Sequence, residues 1–275
     1  MENIIALITD FGTKGQHYVA VMKAVILNIN PNAKIIDISH EISSYSIIEA
    51  SYILKTIYNH FPKTTVFIIV VDPGVGSNRR IIALKTKSDY FFIGPDNGIF
   101  PNVFNITEIS NCVSIQNEEY FNQPVSPTFH GRDIMAPVGA SIAKYKNFPL
   151  NDLGPMYDFH SLVKKPINFR IDFENRTLES SIQYIDSFGN GTTAIPMIGN
   201  RVKGSDLTLE DELEISILIN KNRYDGIFSS HFSGVPKDSL LFLVGSTGFL
   251  EVSINQGDAA KKLDFKVGNI ITIRL

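Results

Sequence analysis

From Ile4 to Tyr145, short apolar runs alternate with stretches whose apolar residues recur at every third or fourth position. A chain with that alternation builds a largely parallel sheet covered by helices. Ile4 to Thr9 reads as the first strand. From His17 to Ile29 the residues Val19, Met22, Ile26 and Ile29 form one buried helical stripe, interrupted by Pro31. Lys34 to Ile38 reads as a second strand, and Ile47, Ile48, Leu54 and Ile57 suit a second helix that stops near Pro62. Thr65 to Val71 is an uninterrupted apolar run, as in a central strand buried on both faces. The segments IIALKT and YFFIG continue the strands. A long polar connection from Pro101 to Pro127 then leads to a helix from Arg132 to Tyr145, which Pro137 should bend or shorten.

After about Pro166 the pattern changes to short strands at close intervals: SSIQYI, TAIPMI, LEISILI, LLFLVG, FLEVSI and IITIRL, separated by Gly, Asn and Asp turns. The expected architecture is therefore α/β, with an amino-terminal α/β sheet domain over residues 1–160 and a smaller all-β domain over residues 166–275. Gly154-Pro155 and Lys165-Pro166 mark Asp152 to Lys165 as the natural linker. The sequence has no internal repeat and no low-complexity segment.

With 275 residues and 44% hydrophobic content, the chain can bury a substantial core. The charges, 25 basic against 28 acidic for a net of -3, give no global attraction to nucleic acid or anionic membranes. A single cysteine, Cys112, allows no intramolecular disulfide and no multi-cysteine zinc cluster. A cytoplasmic location fits best. No run approaches the roughly 18–20 apolar residues of a membrane span, and the amino terminus lacks a signal-like region.

In open α/β sheets, ligands bind beyond the carboxyl ends of the strands. Polar residues collect there in four places: Asp10 in ITDFG, Asp72 with Arg79 and Arg80 in VVDPGVGSNRR, Asp96 and Asn97 in PDNGIF, and His130, Arg132 and Asp133 in SPTFHGRD. Taken singly, each has an ordinary structural explanation. Asp10 could cap the following helix, Asp72-Pro73-Gly74 could be a plain turn, Arg79 and Arg80 could be solvated, and His130 could be a hydrogen-bonded structural histidine. Their convergence on one sheet edge points instead to a reaction centre. Phosphate cradling lacks the third glycine and the Gly-Lys-Ser/Thr signature. A metal site built from Asp10, Asp72, Asp96, His130 and Asp133 is chemically open, although no HExxH, HxH or Cys pair supplies a ligand spacing. No GxSxG turn supports Ser77 or Ser126 as a nucleophile.

Together, ITDFG...YVAVMKAVI, NPNAKIIDISHEI, VVDPGVGSNRR, GPDNGIF and TFHGRDIMAPVGA resemble the S-adenosyl-L-methionine hydroxide adenosyltransferase family. The resemblance continues in IDSFGN and GSTGFLEVSINQGDAA, so it spans nearly the whole chain. It implies a β-barrel-like second domain that completes the nucleoside pocket, and a homotrimer with sites between subunits. The implied reaction is metal-independent SN2 hydrolysis of S-adenosyl-L-methionine to adenosine and L-methionine, with no cofactor. Asp72, Arg79 and His130 match the family's catalytic trio, Arg79 rather than Arg80 by its spacing from Asp72.

The resemblance further assigns Asp10 to the ribose hydroxyls, Asp186 to the methionine ammonium, Asn190 to adenine and Phe188 to stacking. It places Ser246, Glu251 and the backbone near Ile254 in the remaining binding motif. Thr247 stands where halide-using relatives tend to carry Arg, which disfavours a halide nucleophile. A His or carboxylate would take the water proton, with an Arg favouring hydroxide character. Two rival readings are a non-catalytic sensor binding adenosine or S-adenosylmethionine, and a metal-dependent hydrolase.

Overall fold

The computed structural model describes residues 3–145, 147–167 and 169–275, in two units, Met1–Pro166 and Ile167–Leu275. The first unit runs β1 (Ile4–Thr9), α1 (Gln16–Ile29), β2 (Lys34–Ser39), α2 (Ile47–Ile57), β3 (Val66–Val70), β4 (Ile81–Thr86), β5 (Phe91–Pro95), α3 (Ile99–Val103), β6 (Ile109–Ser114) and α4 (Ala136–Lys144). Its sheet has the order β2-β1-β3-β5-β4-β6. β2, β1, β3 and β5 are parallel, and β4 is antiparallel to both neighbours.

Strand periodicity explains why the central runs are apolar throughout. Ile5, Leu7, Val66, Ile68 and Val70 pack with Met22 and Ile26 of α1 and Val138 of α4. The alternate residues Ala6, Ile8, Phe67 and Ile69 pack with Leu54 of α2 and Phe100 of α3. Each large side chain so buried contributes about 1.5–3 kcal/mol relative to exposure, and both faces need covering. α1 leads from β1 to β2 on one side, whereas α2 carries the chain back past β1 to β3. The carboxyl ends of β1 and β3 therefore flank the point where the winding reverses, the crevice in which open α/β sheets bind ligands.

Three features differ from the sequence expectation. The polar connection after Pro101 contains strand β6, the edge strand beside β4, whose Ser110 and Asn111 hide its alternation and whose Val113 also bridges Met156. The helix expected from Arg132 begins as a π-turn, Gly131–Met135, and Pro137 falls in the first turn of α4. The proline's missing N–H leaves the Asp133 carbonyl oxygen to accept from Asn122 N at 2.8 Å instead. Asp152 to Lys165, read as a linker, packs back on the first unit: Leu153 joins the core on one face of the sheet, and Phe159 and Leu162 join the core on the other.

The second unit runs β7 (Phe169–Asp172), β8 (Thr177–Ile185), β9 (Gly191–Ile198), β10 (Arg201–Val202), β11 (Glu214–Ile219), β12 (Asn222–Phe228), β13 (Leu240–Val244), β14 (Phe249–Ile254), α5 (Ala259–Leu263) and β15 (Ile270–Arg274). The ring β9-β14-β13-β12-β11-β15-β8 closes through β8–β9 pairing into a seven-stranded barrel. Ile182, Ile195, Ile217, Phe242, Val252 and Ile273 belong to its core. Closure satisfies strand edges that an open sheet of this size would leave unpaired. β12 escapes the sequence reading because Asn222-Arg223-Tyr224-Asp225-Gly226 is too polar to look like a strand.

Candidate active site

Arg79 joins two loops of the sheet edge. Its Nε lies 3.0 and 2.9 Å from the two carboxylate oxygens of Asp72, and its Nη2 donates to Asp72 Oδ2 and, at 2.7 Å, to His130 Nδ1. The Arg79 and Asp72 side chains are only 11% and 6% exposed, so the pair is largely shielded from water. A guanidinium can only donate, so His130 Nδ1 must accept and the proton of the neutral imidazole sits on Nε2. Burial, together with the Arg79 charge, lowers the His130 pKa below the ordinary imidazole value.

This geometry has a pH consequence. Protonating His130 would put a proton on the atom that accepts from Arg79, so the neutral ring is the form that keeps this bond. The acid limb of kcat/KM is expected below about pH 6.5, the ordinary histidine value. A profile that falls at or above that pH would contradict the arrangement.

Neighbouring polar clusters hold the loops in place. Asn97 donates to Val71 O at 2.8 Å and Asp96 N to Arg80 O at 2.9 Å, which ties down both ends of the loop carrying Asp72 and Arg79. Asp96 Oδ1 accepts from Val163 N, and burial raises its pKa. Asp133, fully buried, accepts from Ser126 N, Asn122 Nδ2 and Arg132, closing the loop that ends at His130. The two loops touch at Gly76 (φ 78), where a Cβ would lie 2.5 Å from Pro127 O. Only glycine allows that approach.

Asp96 and Asp133 are thus engaged away from Asp10, Asp72 and His130. Among the described residues, no group of three or more His, Cys, Asp or Glu is placed to hold a metal ion. Ser77 and Ser126 hydrogen-bond within their own loops. Arg80 lies 4.7 Å over the Tyr157 ring, away from the trio.

Asp10 does not cap a helix. Gly12 stands at the cap position, and Asp10 Oδ2 accepts from Tyr45 N at 2.8 Å. Burial raises the Asp10 pKa, and the nearby Asp72 charge adds to the rise. Asp10, Asp72 and His130 line one cavity of about 290 Å³ together with Tyr18, Tyr45 and Phe129. Sequence reasoning missed these aromatic walls. Tyr45 sits at φ 67, a left-handed backbone uncommon for a bulky residue, and nothing in its local sequence signals that.

The second unit gathers its own set. Asp186, Phe188, Asn190, Ser246, Glu251 and Ile254 all line one cavity of about 800 Å³ in the barrel unit. Phe232 and Asn255, which carry no sequence signal, line it too. Asp186 Oδ1 accepts from Phe188 N and Asn190 N, and its Oδ2 from Asn190 Nδ2, each at 2.9 Å. One amide hydrogen of Asn190 is therefore already engaged, and its carbonyl oxygen is the better-placed group for a ligand donor. Phe188 is 74% exposed, a large apolar ring held out to solvent by an ordered turn. Glu251 accepts from Thr192 at 3.3 Å; burial and the nearby Asp186 charge raise its pKa. Ile254 is buried, so what it can offer a ligand is backbone.

Comparison with known proteins covers both units. Residues 5–154 match the SAM hydroxide adenosyltransferase N-terminal domain and residues 180–272 the corresponding C-terminal domain. A Methanocaldococcus jannaschii protein named (R)-S-adenosyl-L-methionine hydrolase is 37% identical over 95% of this chain and 92% of its own length. A protein of an Actinoplanes species named fluorinase is 24% identical over 98% and 97% of the two chains. The crystal structure of an uncharacterized conserved protein from Thermotoga maritima superposes with a TM-score of 0.86 at 36% identity, over 99% of this chain and all of the other.

Proposed function

The chain belongs to the SAM hydroxide adenosyltransferase family and hydrolyses S-adenosyl-L-methionine; we propose that Asp72, Arg79 and His130 deliver the water to ribose C5′, releasing adenosine and L-methionine. The observation that carries this reading is the Arg79 bridge between Asp72 and His130, both of which line the cavity that also holds Asp10.

The leaving group is a sulfonium that departs as a neutral thioether, so it needs no proton. The chemistry lies in the nucleophile. Water donates a lone pair to C5′ as the C5′–S bond breaks with its electrons on sulfur, and one proton is lost from the attacking water. Arg79 cannot accept that proton, and His130 already uses Nδ1 to accept from Arg79. The Asp72 carboxylate is the member of the trio left to take it, while the His130 Nε2–H holds the water oxygen as it gains negative charge. Holding water in line with the C–S bond lowers the barrier further, by at most ~7–11 kcal/mol for fully oriented reactants.

Asp10 in this account accepts from the ribose 2′ and 3′ hydroxyls, which fixes C5′. The barrel cavity supports the remaining roles: Asp186 for the ammonium, Asn190 for adenine, Phe188 for stacking, and Ser246, Glu251 and the Ile254 backbone for the rest of the substrate. A homotrimer with sites between subunits, a cytoplasmic location, and a reaction without metal or cofactor belong to the same proposal. No described helix is long and apolar enough to cross a membrane.

The test is product analysis with each sulfur epimer of the substrate. The sulfonium is pyramidal and stereogenic, and the Methanocaldococcus relative is named for the (R) form. Equimolar adenosine and L-methionine are expected, faster from the (R) epimer, unchanged by a chelator and with no chloroadenosine on adding chloride. Adenosine binding without turnover of either epimer would leave only the sensor, and turnover abolished by a chelator would restore the metallohydrolase.

A further inference from the structure

The motif Ile38-Ser39-His40-Glu41-Ile42, at the end of β2, takes no part in the chemistry described above. His40 nevertheless holds the turn that carries Asp10 from both sides. Its backbone oxygen accepts from Gly12 N at 2.7 Å, two residues after Asp10. Its Nδ1 lies 3.0 Å from Thr9 Oγ1, one residue before Asp10. Thr9 is fully buried, and its hydroxyl oxygen in turn accepts from Phe11 N at 3.4 Å.

The far side of the ring is also anchored. His40 Nε2 lies 3.0 Å from Asp37 Oδ1, with its N–H off the line of a regular hydrogen bond, and Asp37 Oδ2 pairs with Lys23 of α1 at 2.5 Å. The carboxylate favours the imidazole proton on Nε2, which leaves Nδ1 to accept from the Thr9 hydroxyl. A chain of contacts thus runs from α1 through Asp37, His40 and Thr9 to the backbone beside Asp10. The connection after His40 adds the direct bond from Tyr45 N to Asp10 Oδ2.

We propose that His40 is the positioning residue for Asp10: by fixing Thr9 through its ring, beside the main-chain bond to Gly12, it sets the direction of the Asp10 carboxylate and hence the affinity for the two ribose hydroxyls. This rests on Asp10 being the ribose anchor. His40 touches no substrate and acts only through the turn.

The experiment measures, by calorimetry on the full chain, the Kd of adenosine and of 2′,3′-dideoxyadenosine, which lacks the hydroxyls. The wild type is expected to favour adenosine. His40→Ala should weaken adenosine binding about tenfold or more, the order of a lost hydrogen bond to a charged group, and change dideoxyadenosine binding by less than about twofold. Thr9→Val, isosteric and outside the cavity lining, cuts the same link together with the long bond from Phe11 N and should do the same, so the test survives if His40→Ala does not fold. His40→Asn places an amide oxygen near the Nδ1 position and should restore most of the preference. If His40→Ala and Thr9→Val weaken both nucleosides equally, or leave adenosine untouched, the inference is overturned. A wild type without preference would remove the Asp10 reading and this inference with it, a failure visible before any variant is made.

Discussion

His130→Ala is expected to lower kcat by about 10²–10³ with KM little changed, the scale seen when one preorganised donor to a developing charge is removed. The residue lines the cavity and accepts from Arg79, so its loss leaves the nucleophile without the Nε2–H and Arg79 Nη2 without one of its two acceptors. Binding should survive, because the proposed ribose and adenine contacts lie on Asp10 and on the barrel unit. The donor role can be separated from a base role by His130→Gln, whose amide N–H reaches the Nε2 position. Gln should recover part of the lost turnover. If Gln is as inactive as Ala, while the pH profile of the wild type still reports one essential base, His130 is the proton acceptor and its assigned tautomer is wrong.

Asp72→Asn should be the more damaging change, because the same residue is the proposed proton acceptor and the counter-charge of Arg79. Turnover is expected to fall by about 10²–10⁴, the usual contribution of a positioned general base. Stability should fall as well. Arg79 is 11% exposed, and removing one partner of a shielded ion pair costs up to about 3–5 kcal/mol because the remaining charge is left uncompensated. In a chain of this size, a loss near the lower figure corresponds to a Tm drop of about 6–12 °C. Asn keeps one acceptor oxygen for Arg79, so the protein should still fold. A variant with wild-type kcat would remove Asp72 from the chemistry, and a lower Tm alone would make it structural.

Much of this site can be read in the sequence because strand ends in an open sheet are geometrically privileged. The run from Thr65 to Val71 announces a central strand, and the residues immediately after such a strand must lie at the ligand crevice. Asp72 follows from that logic. What Asp96 and Asp133 do does not: both sit in equally promising loops, yet their carboxylates are spent on Val163 N and on Ser126, Asn122 and Arg132. Only side-chain direction separates a reacting carboxylate from one that braces a loop.

Tyr45 was illegible for another reason. Its left-handed backbone accompanies a contact to Asp10, 35 residues away in the chain, that its neighbours in sequence do not signal. Sequence allows either His130 or a carboxylate to take the water proton; the Arg79 hydrogen bond to His130 Nδ1 occupies the one acceptor nitrogen of the neutral ring, which is why Asp72 holds that role in the proposal. Strands β6 and β12 were hidden because an edge strand and a barrel strand with a solvated face carry polar residues where a central strand cannot.

If water attacks ribose C5′, its oxygen ends in adenosine, so the position of the oxygen in the products decides between the carbons of the sulfonium. Turnover in ¹⁸O-labelled water, read by mass spectrometry, should place one ¹⁸O in the 5′-hydroxyl of adenosine and none in the released methionine. Label in homoserine beside methylthioadenosine, or in methanol beside S-adenosylhomocysteine, would show attack at a different carbon of the sulfonium and contradict the account.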